Sequence, residues 1–182
     1  TSHSCPASAS AKMPYTYPKY QASLTTYDYR VSEEMDKMEG AYDYDAVISV
    51  QWPFGYGLSY TTFKYDNFKT STTNFTADDQ ITLSVDVTNT GSVKGKEVVM
   101  LFSRDMVASL TPENRRLRAF QKVELQPGET RTVSFTLKGS DLAFVGADGK
   151  WILEKGDFRM QAGDKTLNLN CTESHKWESQ NR

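Results

Sequence analysis

Histidine and cysteine are scarce in this chain: its 182 residues hold two of each, His3 and His175, Cys5 and Cys171. With both histidines near the ends, neither a Ser–His–Asp nor a Cys–His arrangement finds a general base in a core position. The same four residues offer zinc ligands only from polar terminal segments and in no compact knuckle spacing, so no metal site is expected. A Cys5–Cys171 disulfide would close nearly the whole chain into one loop, and two free thiols is the simpler expectation. Long hydrophobic runs are also missing. The longest is Val98–Phe102, far short of the roughly 20 residues that a membrane-spanning helix needs.

An excess of one charge is absent too, since 21 basic residues face 23 acidic ones for a net charge of −2. That balance excludes a nucleic-acid binder that works by counterion release. Gly55-Tyr56-Gly57 suggests a glycine-rich loop, but G-x-x-x-x-G-K-S/T does not occur, so neither phosphate binding nor any other cofactor is implied. At this length a (β/α)₈ barrel, which takes about 250 residues, does not fit.

The residues that are present divide the chain near position 62. Seven of the ten tyrosines precede Gly55 and four of the six prolines lie before Phe63, with little periodicity between them. This reads as an extended segment that lays aromatic side chains against something else. Ser32-Glu33-Glu34 opens the single short helix expected there, with Ser32 as its N-cap, Met35 and Met38 on one face, and Gly40 at its end.

From Phe63 the period becomes two. Ile81, Leu83, Val85 and Val87 alternate with polar residues, as do Val133, Phe135 and Leu137, and as do Phe158, Met160 and Ala162. The Val98–Phe102 run suits a central strand, while Asn89-Thr90-Gly91, Gln126-Pro127-Gly128-Glu129 and Ala147-Asp148-Gly149-Lys150 supply turns. The fold expected is all-β, an immunoglobulin- or fibronectin-like sandwich of about seven strands over residues 63–182, following an extended segment over 1–62.

No pair of carboxylates is singled out for glycosidase-type chemistry. Asp78-Asp79, Asp105, Glu113 and Asp141 fall at expected turns, so no catalytic residue is assigned. Arg104, Arg115, Arg116, Arg118 and Lys122 form the one basic concentration, read as guarding a strand edge or bridging to a neighbouring domain. The aromatic group Trp52, Phe54, Tyr56 and Tyr60, interleaved with Pro53, Gly55 and Gly57, is read as an interdomain seam or as a sugar-stacking surface. Two Asn-x-Thr sequons begin at Asn74 and Asn170 and matter only in a eukaryotic secretory pathway.

Several ordered segments carry a family resemblance. Pro53 through Phe63 resembles the segment that enters the C-terminal fibronectin-like domain of glycoside hydrolase family 3, the β-glucosidases and β-xylosidases. Val87-Thr88-Asn89-Thr90-Gly91, Gly95 through Phe102, Leu117 through Thr130 and Trp151 through Gly163 follow in the family's order, and Lys12 through Pro18 is similar to the close of its preceding α/β-sandwich domain. Ala11, Phe102 and Ala119 depart from residues common in the family.

The resemblance implies a non-catalytic accessory domain that braces the catalytic domains of a β-glycosidase of the secreted or periplasmic kind. Both catalytic carboxylates would lie upstream. Residues 1–62 would be the tail of a preceding domain plus a linker, and the implied partners are the upstream domains and an oligosaccharide. A carbohydrate-binding module built on the Trp52 to Tyr60 aromatics is the alternative.

Overall fold

The computed structural model describes residues 12–19, 50–110 and 115–178. Its strands run β1 (Tyr17–Pro18), β2 (Val50–Trp52), β3 (Phe63–Thr70), β4 (Asn74–Phe75), β5 (Gln80–Asn89), β6 (Gly95–Asp105), β7 (Arg116–Leu125), β8 (Thr130–Lys138), β9 (Phe144–Val145), β10 (Trp151–Leu153), β11 (Gly156–Ala162), β12 (Lys165–Cys171) and β13 (His175–Lys176). Seven of them are seven residues or longer, and with the two-residue β4 they form two sheets of a sandwich, β3-β5-β8 against β4-β12-β11-β6-β7. The all-β expectation is met. Ser32–Gly40 lies outside the described residues, and among those residues the helical element is a 3-10 turn at Gly139–Leu142.

The alternating runs supply the core. On β5 the side chains of Ile81, Leu83, Val85 and Val87 are fully buried while their neighbours face outward, and the strand pairs along its length with β8, whose Val133, Phe135 and Leu137 share the inner face. Facing them from the larger sheet are Val99, Leu101, Val123, Leu125, Phe158, Met160, Ala162, Leu169 and Cys171. Cys171 is a free thiol, and burial holds its pKa above the usual range.

The Gln126–Glu129 turn closes through the Glu129 N–H on the Gln126 carbonyl at 3.0 Å, and Asp148-Gly149 turns the chain between β9 and β10. At the far end β13 adds to β10, which closes a small third sheet.

Two elements differ from the sequence pattern. β7 begins at Arg116, well before the Val123-x-Leu125 alternation that marks it in the sequence. Its register against β6 shifts between the Leu101–Ala119 and Phe102–Leu117 pairs, leaving Arg118 as the extra residue of a bulge, so alternation is lost there. Arg118 Nε donates to Ser103 Oγ at 2.6 Å and its Nη1 donates to the Asp141 carbonyl, tying β6 to the 3-10 turn. Residues 12–19 and 50–57 also fold against the outer face of the larger sheet, joined by the antiparallel β1–β2 pair.

Candidate functional site

The site is the segment from Trp52 to Thr61 together with what it covers. Pro53 to Tyr56 makes a tight turn, with the Tyr56 N–H on the Pro53 carbonyl at 3.0 Å and Gly55 at φ +81°, the conformation that a type II turn demands at that position. A side chain on Gly55 would also meet the Met100 sulfur at 3.3 Å, so the turn lies close on β6. Backbone bonds of 2.8 Å, Met13 N–H to the Tyr56 carbonyl and Gly55 N–H to the Met13 carbonyl, fasten it to the incoming chain.

Phe54 points inward. Only 7% exposed, it meets Phe102 edge to face at 5.8 Å, and its N–H donates to Thr16 Oγ1 at 3.3 Å. Arg115 closes the arrangement, donating from Nη2 to the Phe54 carbonyl at 2.6 Å with its guanidinium 5.0 Å from the Phe102 ring centre. This cover on the outer face explains why Val98–Phe102 is continuously apolar: β6 is buried by the core on one side and by Phe54 on the other.

Trp52 and Tyr56 turn the other way. Each remains 38% exposed, their rings are 6.2 Å apart and inclined at only 22°, and Tyr17 stands 5.3 Å from Trp52. Between Tyr56 and Arg115 runs a cleft of about 180 Å³ whose floor is Met100 and Phe102. Of the six residues that the sequence singled out, the structure brings together Trp52, Phe54, Gly55 and Tyr56. Tyr60 stands apart at 74% exposure, and Gly57 lines a separate small recess beside Leu58, Ser59 and Lys96.

Three anchors escaped the sequence reading. Tyr65 Oη donates to Glu97 Oε1 at 2.6 Å inside the sandwich, and Lys12 Nζ reaches the same oxygen from the N-terminal segment. Burial, reinforced by the Glu97 charge, holds the Tyr65 phenol well above its ordinary pKa. Thr61 Oγ1 donates to Asn89 Oδ1 at 2.6 Å, while Asn89 Nδ2 donates to the carbonyls of Val93 at 2.8 Å and Leu125 at 3.1 Å. Asn89, read in the sequence as part of a turn, is a fully buried junction at the end of β5. A side chain on Gly91 would stand 2.1 Å from Thr61 Oγ1, which ties the Asn-Thr-Gly segment to Thr61 by simple contact. Charge in Lys12 and Glu97 and the hydroxyl of Thr61 were visible in the sequence, but their partners lie tens of residues away.

Of the carboxylates singled out in the sequence, Asp79, Asp105 and Asp141 accept backbone N–H bonds from residues two or three positions away, and Glu113 lies outside the described residues. Asp79 accepts from the Thr76 N–H at 2.7 Å and Thr76 Oγ1 at 2.8 Å, bonds that lower its pKa, and Asp141 accepts from the Lys138 N–H at 2.9 Å. Asp105 is the exception in its environment: half-buried at the end of β6, it is pushed up to about 6 by burial. Its Oδ1 accepts from the Val107 N–H at 3.2 Å, and its buried Oδ2 has no hydrogen-bond partner. Among the described residues no three His, Cys, Asp or Glu side chains are grouped to hold a metal ion. Of the basic residues, Arg116, Arg118 and Lys122 lie on the edge strand β7, and Arg115 bonds the turn.

Residues 97–166 match the family model described as the fibronectin type III-like domain. The chain is 36% identical over 171 residues to the lysosomal β-glucosidase of Dictyostelium discoideum, a match covering 88% of the chain and 20% of the relative. It is 34% identical over 162 residues to the β-glucosidase BoGH3A of Bacteroides ovatus, covering 82% and 22%. Its fold superposes on a β-glucosidase structure from Erythrobacter marinus with a TM-score of 0.77 and 32% identity, covering 90% of this chain and 22% of that one. This is a fibronectin type III-like C-terminal region of glycoside hydrolase family 3. As such a region, the chain spans about a fifth of the length of the curated relatives it matches. The family model begins inside β6, whereas the matches to β-glucosidases reach across most of the chain, so the family 3 likeness extends beyond the fibronectin-like domain itself.

Proposed function

We propose that this chain is the non-catalytic accessory domain of a β-glucosidase- or β-xylosidase-type enzyme, and that it braces the catalytic domains of the same polypeptide through the Trp52–Tyr56 turn. The observation that carries the reading is the two-sidedness of that turn. Phe54 is locked against the outer face of the larger sheet by Phe102, Thr16 and Arg115, while Trp52, Tyr56 and Tyr17 present aromatic faces away from it. A turn fixed rigidly on one side and apolar on the other suits a seam between domains, because apolar area left in water on the isolated domain is removed when the neighbour docks. In this reading residues 1–62 are the tail of a preceding domain with its linker, 63–182 are the sandwich, both catalytic carboxylates come from the neighbour, and the enzyme works in a secreted or periplasmic setting.

A second reading, carbohydrate binding by the same aromatics, draws on the exposure and near-parallel setting of Trp52 and Tyr56 beside an open cleft. One experiment separates the two. The chain replaces the corresponding region of the Listeria innocua β-glucosidase, whose structure it matches at a TM-score of 0.71 over 90% of its length, and Trp52→Ala/Tyr56→Ala is introduced into the chimera. Bracing predicts faster thermal inactivation with KM unchanged. A raised KM with unchanged thermal inactivation, matched by saturable binding of cello- or xylo-oligosaccharides to the isolated chain, overturns bracing in favour of sugar contact.

A further inference from the structure

The sandwich has four lateral edges, and three of them are blunted. β4 is two residues long and pairs only with Asn170 and Cys171, and the rest of that edge is the five-residue stretch of β12 that begins at Lys165. β3 breaks register between Asp66 and Lys69, where Asn67 takes φ +52°, and it carries Lys64, Asp66 and Lys69. β7 is bulged at Arg118 and charged at Arg116, Lys122 and Glu124. Bulges, charge and brevity are the devices by which proteins keep open edges from pairing.

β8 is neither short nor bulged, and its charges, Arg131 and Lys138, stand near its two ends. All nine of its residues pair with β5 without a register shift, and it is the terminal strand of its sheet among the described residues. Between Arg131 and Lys138 it runs Thr-Val-Ser-Phe-Thr-Leu, with no charge, proline or glycine and with β-branched or aromatic residues at four of the six positions. Its Val133, Phe135 and Leu137 are held inward, while Thr132, Ser134 and Thr136 are exposed.

We propose that this edge pairs with the same edge of a second copy of the chain, antiparallel about a two-fold axis at Ser134, joining two three-stranded sheets into one of six. The strand's own sequence selects that occupant, because it is self-matching in this register. Val133 falls opposite Phe135 of the second copy, Thr132 opposite Thr136, Arg131 opposite Leu137 and Thr130 opposite Lys138, so no like charges meet. A hydroxyl pair opposite one another is already a feature of this sheet, where Thr88 and Thr130 share a hydrogen bond of 2.7 Å across β5 and β8, and just beyond the ends of β3 and β5 Thr62 and Thr90 share one of 2.8 Å. A C₂ contact of this kind is isologous and closed, so it ends at the dimer instead of propagating into a fibre. The β8 edge is separate from the aromatic turn, which lies on the outer face of the other sheet.

Sedimentation equilibrium of the 182-residue chain, across a wide concentration range, tests the pairing. The expected result is a reversible monomer–dimer equilibrium. Thr132→Lys/Thr136→Lys sets like charges opposite each other twice across the axis and weakens the dimer by about tenfold or more. Thr132→Lys/Thr136→Glu instead sets opposite charges across the same two contacts and restores dimerisation. Both positions are exposed, and an unchanged far-ultraviolet spectrum together with the single Thr132→Lys variant checks that the fold is retained. A chain that stays monomeric, a dimer indifferent to the double lysine variant, or a failure of the lysine–glutamate variant to recover would each overturn the proposal.

Discussion

Replacing Phe54 by alanine asks whether the N-terminal segment and the sandwich are one cooperative unit. The ring is almost fully buried and provides the edge-to-face partner of Phe102, itself only 6% exposed. Truncating a core phenylalanine costs about 3–5 kcal/mol, from lost transfer energy plus the cavity left behind. Phe54 lies on the outer face of the sheet, where water can enter the vacated space, so the low end applies, about 3 kcal/mol. For a chain of this size each kcal/mol moves the midpoint by about 2–4 °C, which gives a fall of roughly 6–12 °C. Equilibrium urea unfolding followed by tryptophan fluorescence and by far-ultraviolet circular dichroism is the assay, with Tyr60→Ala, at a highly exposed site, as the control expected within about 0.5 kcal/mol of wild type. Coincident transitions shifted together are expected. A loss below about 1 kcal/mol, or a separate early transition that leaves the sandwich unchanged, would refute the packing argument.

Other consequences concern buried polar groups. The raised pKa of Asp105 gives a definite sign: its stabilising contribution is complete below the ordinary carboxylate range, near pH 4, and is lost as pH rises through about 6. After allowance for its half-exposed setting the loss is about 1 kcal/mol, and Asp105→Asn should flatten the unfolding free energy between pH 4 and 7; parallel wild-type and variant profiles would contradict this. Asn89→Ala removes a buried hub that accepts from Thr61 and donates to two carbonyls, and should cost about 3 kcal/mol in denaturant unfolding, against about 1 kcal/mol for Thr61→Val. Glu97→Gln leaves an acceptor for Tyr65 but removes the charge facing Lys12, so hydrogen exchange should quicken at the Met13 and Gly55 amides while the β5 amides keep their protection.

What could be read from the sequence followed the reach of local rules. Strands with one wet and one dry face declare themselves by alternation, so β5, β8 and β11 were visible, as was β6 from its apolar run. β7 was half hidden because a bulge at Arg118 breaks the period on which the pattern depends. The pairing of Tyr17 with Trp52, the seat of Phe54 on Phe102 and the Thr61–Asn89 bond join residues distant along the chain, and no local periodicity encodes such partners. The sequence grouped Tyr60 and Gly57 with the aromatic turn by proximity alone. Gly55 and the Tyr56 N–H close the turn first and send the chain after it in another direction, so neighbours in sequence part in space.

The proposed accessory role leaves this region without glycosidase chemistry of its own. Hydrolysis of an aryl β-glucoside and an aryl β-xyloside by the purified chain is the test, with Asp105→Asn in parallel because, among the described residues, Asp105 is the half-buried carboxylate whose pKa is raised. The expected result is no release of the aryl group above the uncatalysed rate for either protein. Turnover by the chain that a single substitution within it abolishes would contradict it.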